Sequence, residues 1–180
     1  VTMDFKQAGN LIFVLGETKD ELGQSHYALN YSLQGGTVPQ PTSKPLERFR
    51  KLHQAIQKGW IKACHDCSEG GLAVAIAEMS IAGRLGATLQ LWNSDDSKSY
   101  LADKNVALTA LLFSESLSRF VLEVSPEHKE KVSKHFAHDW LTEIGHTTNN
   151  HHFVALWDMD EKISTSVETL ETFWRGEIAP

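Results

Sequence analysis

Apolar positions along this chain come in short blocks whose period changes from block to block. Residues 10–15, Asn-Leu-Ile-Phe-Val-Leu, form an apolar run closed by Gly16, and their β-branched and aromatic content predicts a buried strand. Residues 16–26 are polar and punctuated by glycine, which predicts a long loop or a broken helix start. Gly35-Gly36-Thr37-Val38-Pro39-Gln40-Pro41 is irregular because its glycines and prolines interrupt any period. Over residues 44–59, Leu46, Phe49, Leu52 and Ile56 recur at helical spacing, with Arg48, Arg50, Lys51 and Gln54 on the other face. Ser43 is the expected N-cap, Pro45 lies in the first turn, and Gly59 closes the helix.

Ile61–Cys64 predicts a short strand, and a helix follows from about Gly70 to Ile81. That helix is apolar on nearly every side, with Glu78 its only charge after Glu69, as expected of a helix buried between layers. Gly83 and Gly86 end it. Residues 87–92 alternate like a strand, residues 93–105 read as a polar loop, and residues 107–113 are apolar without a clear period. Arg119–Val124 predicts a strand and Pro126–Phe136 an amphipathic surface helix. Leu141–Gly145 and Phe153–Trp157 predict two further strands, and Ser166–Trp174 a closing helix with Val167, Leu170, Phe173 and Trp174 on one face. There is no internal repeat and no low-complexity segment. Mixed strands and helices with long connections predict an α/β (α+β) layered domain, residues 1–180, around one central mixed sheet.

The composition is that of a soluble globular domain: 180 residues, 41% apolar and 22% charged. A net charge of −6 without a Lys/Arg cluster argues against nucleic acid as a partner. No apolar run approaches the roughly 20 residues that span a bilayer, so no membrane partner is expected. Val1 is not an initiator Met, and the start lacks a basic region followed by an apolar stretch; the expectation is a piece of something longer, or a processed product, in the cytoplasm.

Candidate chemistry concentrates at residues 64–71. Asp66 and Glu69 have capping-box spacing, and Ser68 is a competing N-cap. The same geometry admits an anion site, because free N–H groups and the positive end of the helix dipole hold a phosphate that Gly70-Gly71 lets approach. Cys64-His65-Asp66-Cys67 also has the spacing of a redox pair placed between a strand and a helix. As a zinc half-site it is weak, since no second cysteine pair exists, although His151-His152 offers two nitrogens. In Ser114–Arg119, Arg119 and the serines suit phosphate or carboxylate binding, or Arg119 and Glu115 form an internal pair fastening a loop. His128, His135 and His138 fall near one helix face among lysines, which favours a solvated surface over a metal site.

Ala63–Met79, with its His-Asp-x-Ser-Glu-Gly-Gly-Leu-Ala-Val-Ala run, resembles phosphoribosylformylglycinamidine synthase, and more closely the last domain of the synthetase subunit in its small multi-subunit form. Val1–Asp4, Gly16–Ser25, Phe113–Arg119 and Leu170–Pro180 agree in order, so the resemblance spans nearly the whole chain. It implies the fold of the C-terminal domain of aminoimidazole ribonucleotide synthetase. It implies a parent enzyme that joins ammonia from glutamine to formylglycinamide ribonucleotide with ATP and Mg2+, in purine synthesis. The implied partners are the preceding domains of the same subunit, a glutaminase subunit and a small bridging subunit. The family's catalytic histidine and most magnesium carboxylates lie in those preceding domains. The resemblance therefore implies no catalytic residue, no metal site and no cofactor bound by this segment alone, but a cleft-lining or structural role for His65, Asp66, Ser68, Gly70, Gly71, Glu115, Ser116 and Arg119. Cys64 and Cys67 stand where the family has small or aliphatic residues, and Ser114 where glycine is common. The competing readings are a thiol redox module using Cys64 and Cys67, and an architectural domain that docks through apolar surface, for which five tryptophans leave room.

Overall fold

In the computed structural model, residues 1–92, 107–137, 139–157 and 160–177 are described. The strands are β1 (Leu11–Leu15), β2 (Ala63–Asp66), β3 (Gly86–Trp92), β4 (Phe120–Val124), β5 (Leu141–Thr148), β6 (His152–Trp157) and β7 (Asp160–Ser166). The helices are α1 (His26–Asn30), α2 (Pro45–Gln57), α3 (Gly71–Gly83), α4 (Leu108–Phe113), α5 (Lys129–His135) and α6 (Val167–Trp174). The strands form one mixed sheet in the order β2-β4-β1-β5-β3-β6-β7. All neighbours are antiparallel except β3 and β6, which run parallel.

Central β1 explains why its sequence is apolar at every position. Ile12 and Val14 enter the core beneath α3 and α4, whereas Phe13 and Leu15 enter a second core with Leu52 and Ala55 of α2 and Val132 of α5. A strand covered on both faces has no solvent side to alternate with. In β4 the fully buried Glu123 accepts hydrogen bonds from the backbone N–H of Lys6 (2.8 Å) and Gln7 (3.1 Å) and from Asn10 Nδ2 (2.7 Å), which fastens the N-terminal segment to the sheet.

The small side chains of α3 serve close packing between layers: Gly71, Leu72, Ala73, Ala75, Ile76, Met79 and Ser80 are buried. On α2 the expected apolar face is rotated. Leu52 is buried and Ile56 packs against the core, but Leu46 and Phe49 are exposed, and Arg48 turns inward instead to donate from Nη1 to the Ser118 carbonyl (3.0 Å). Ser43 is not the N-cap. Lys44 takes that place in a left-handed conformation with no side-chain cap, immediately before Pro45.

Other boundaries shift. Strand β2 begins at Ala63 and carries His65 and Asp66, which the sequence placed in a turn. Residues 107–113 become helix α4, and the surface helix opens with a 3-10 turn over Pro126–His128. Strand β7 and helix α1 were not predicted; β7 is mostly polar, and α1 is a single short stretch capped by Ser25 Oγ on the Ala28 N–H. The closing helix is present, with Val167 buried and Leu170 packed on the core, but Phe173 and Trp174 are exposed. The polar loop predicted at residues 93–105 lies outside the described residues, as does His138. Among the described residues, no helix is long and apolar enough to cross a membrane.

Candidate functional site

Neither Ser68 nor the Asp66/Glu69 pair caps α3. Its N-cap is Gly70, left-handed at φ 76° and without a side-chain bond of its own. Gly71 follows at φ 67°, and a Cβ there would stand 2.5 Å from the Ser114 carbonyl oxygen, so both the turn and the neighbouring loop demand glycine. Asp66, Ser68 and Glu69 are exposed. The Ser68 carbonyl accepts from the Gly71 N–H (3.1 Å).

The charge that a helix start favours comes from the distant loop at 114–119. Glu115 Oε1 accepts from the Gly70 N–H and from the His26 N–H, both at 2.9 Å. One carboxylate oxygen thus serves the starts of α1 and α3 together. On either side of it, Ser114 Oγ accepts from the Glu21 N–H (3.1 Å) and Ser116 Oγ from the Lys19 N–H (3.1 Å). These consecutive residues pin the polar loop at 16–26 to the glycine turn.

Arg119 fastens the clamp from below. It is fully buried, and donates from Nε to the Ser116 carbonyl (3.2 Å), from Nη1 to Thr18 Oγ1 (2.8 Å) and from Nη2 to the Ser114 carbonyl. Burial pulls its pKa down, while Cys67 and Glu21 nearby favour the charged form. The sequence left Arg119 and Glu115 open as a pair; instead Glu115 faces backbone amides and Arg119 faces carbonyls and a hydroxyl. Partners that the sequence reading missed are Thr18, Lys19, Glu21 and His26. Thr18, Lys19 and Glu21 lie in a loop with no period and His26 opens α1, a segment that only the density of polar and glycine residues marked.

His65 reaches Glu78, with Nε2 2.8 Å from its Oε2, and its Nδ1 lies 3.5 Å from Asp66 Oδ1. Glu78 was legible as the lone charge on an apolar helix. Together with His26, Tyr27, Asn30, Tyr31, Ser68, Glu69, Gly70, Val74 and Phe113 it lines an open cavity of about 610 Å³ between α1 and the start of α3. Tyr27 stacks on Phe113 at 5.1 Å between ring centroids, giving the cavity an aromatic wall.

The cysteines do not make a redox pair. Cys64 packs against the core on the α2 side of the sheet, whereas Cys67 is buried in the core on the α3 side. Burial, with Asp66 adding to it, pushes the Cys64 thiol up to about 12, and burial pushes Cys67 up as well. A reactive thiol needs the opposite shift. Among the described residues no group of three His, Cys, Asp or Glu side chains stands in metal-binding geometry. His135, expected on a solvated face, bridges helices instead, its Nε2 lying 2.9 Å from the Lys51 carbonyl.

Fold and turn together define a layered α/β domain that presents a glycine-started helix to a ligand-sized cavity. The family described as AIR synthase related protein, C-terminal domain, matches residues 7–158, and the chain belongs to that family. Its fold is similar to that of Thermotoga maritima PurL complexed with FGAR, with TM-score 0.78 and 16% identity over 94% of this chain and 29% of that one. It is similar too to Thermotoga maritima phosphoribosylformylglycinamidine synthase II (TM-score 0.74, 16% identity, 94% of this chain and 27% of that one). The hydrogenase maturation protein HypE of E. coli is more distant, with TM-score 0.59 and 16% identity over 85% of this chain and 47% of that one. At these identities the likeness is one of fold, and the chain spans less than a third of the length of the chain in either Thermotoga maritima structure.

Proposed function

We propose that residues 1–180 act as the closing domain of an ATP-dependent carbon–nitrogen ligase of the phosphoribosylformylglycinamidine synthase type. In this reading the domain shapes a cleft and supplies no reacting group. The observation that carries it is the Ser68–Gly71 turn opening onto the cavity of about 610 Å³, in a chain of this family. The turn's role is to form a wall. The Gly70 N–H that a phosphate would use already serves Glu115, and Glu69 and Glu78 add negative charge to the lining. These residues do not fit a bare nucleotide phosphate, so ATP and its Mg2+ belong to the preceding domains in this reading. Those domains, a glutaminase subunit and a small bridging subunit are the partners it requires, in the cytoplasm.

Ammonia-dependent ATP turnover with formylglycinamide ribonucleotide, measured on the full-length parent, tests this. Asp66→Asn with Ser68→Ala alters exposed side chains whose loss leaves the core untouched. The expected result is turnover in the unaltered parent and a reduced rate with a raised KM in the double variant. Unchanged kinetics would remove the cleft role, and an inactive unaltered parent would remove the reaction.

A further inference from the structure

A second cavity shares no lining residue with the one at the glycine turn. It has a volume of about 390 Å³, and its walls come from the loop at 17–19, the start of α2 and the segment before β5. Four cations line it, Lys19, Lys44, Arg48 and Lys51, against three carboxylates, Glu17, Glu47 and Asp139. Lys51 and Asp139 are paired with each other at 2.5 Å, whereas Lys19 and Lys44 have no ion pair among the described residues.

Arg48 is the built part of this wall. Its side chain is nine-tenths buried, its Nη1 bonds the Ser118 carbonyl, and its Nε has no hydrogen-bond partner among the described residues. That Nε is sealed from solvent, so Arg48 meets the cavity through its other atoms. The hydroxyl of Thr42, also on the cavity wall, is likewise buried without a partner. Trp140 also lines the cavity, 40% exposed and left-handed at φ 54°, a conformation that costs a bulky residue energy. Its carbonyl accepts from the Gly16 N–H (2.9 Å), which ties its backbone to the end of β1.

We propose that this cavity binds a small phosphomonoester carrying a planar ring, the phosphate meeting Lys19, Lys44 and Arg48 and the ring lying on Trp140. Cations that fork or point onto phosphate oxygens and an exposed aromatic face are the two contacts such a molecule needs. The volume falls within the range of small-molecule sites. This inference is independent of the cleft beside Ser68, and its test separates the two.

The test is an NMR titration of the 15N-labelled 180-residue chain with AMP and, separately, with inorganic phosphate. AMP is expected to shift the amides of Lys44 and Glu47 and the Trp140 indole, leaving Ser68 and Gly70 in place. Lys19→Ala with Lys44→Ala is expected to weaken both ligands by about tenfold or more. Trp140→Asn, which tolerates the left-handed backbone, is expected to weaken AMP while leaving phosphate unchanged. Shifts confined to Ser68–Gly71, binding that survives the double lysine variant, or no binding would overturn the site. AMP binding no tighter than phosphate would overturn the ligand class.

Discussion

Helices α3 and α6 both begin on a polar residue cluster, yet they are started by different means. At α6, Ser166 Oγ accepts from the Thr169 N–H at 3.0 Å, a cap built within four residues. At α3 the local candidates stand aside, and Glu115, 45 residues away, takes the Gly70 N–H. A locally capped helix depends on its own sequence. A helix capped from afar depends on the fold that delivers the cap, and it binds two loops together in return.

The largest break in that comparison is expected at Arg119. Replacing it with Met leaves the Ser114 and Ser116 carbonyls and Thr18 Oγ1 buried without a donor. Urea unfolding should show a loss of about 3–5 kcal/mol, the range for breaking a buried charged network. Next comes Glu115→Ala, which removes the acceptor of the His26 and Gly70 N–H groups at once and should cost about 1–3 kcal/mol, whereas Glu115→Gln keeps an acceptor and should cost less. Smallest is Ser166→Ala, at about 1 kcal/mol, with no effect on residues 16–26.

A pH effect sharpens the same account from the neighbouring strand. Burial raises the Cys64 thiol from 9.0 to about 12, so the unfolded chain releases its proton first. The unfolded state then binds fewer protons, and stability falls as pH rises through the window from about 9 to about 12, while it is unaffected below. Thermal unfolding of the wild type and of Cys64→Ala between pH 8 and pH 11 reads this: the wild type should lose stability more steeply. Equal slopes would show that the thiol is not held in its neutral form.

Much of the architecture was legible because period and composition carry it. The run at residues 10–15 marks a strand buried on both faces, the small-residue helix at residues 71–83 marks a layer interior, and the spacing of Val167 and Leu170 marks α6. What was not legible depends on pairing across the chain. Leu46 and Phe49 lose their place in the core because a carbonyl at Ser118 draws Arg48 inward, and no spacing within α2 announces that. Strand β7 is mostly polar and is held by its register with β6 rather than by burial. At the site, Ser68 and Gly70 line the cavity, while His65 and Asp66 lie on β2 rather than in the turn. The roles of Glu115, Ser116 and Arg119 emerge only when the loop at 16–26 is set beside them.

Amide hydrogen exchange at Gly70, His26 and Thr169, compared between wild type and Glu115→Ala, tests the distant cap most directly. The Gly70 and His26 amides should lose protection together, by about tenfold or more, while Thr169 keeps the protection that Ser166 gives it. Unchanged exchange at Gly70 and His26 would contradict the account and return the start of α3 to its own residues.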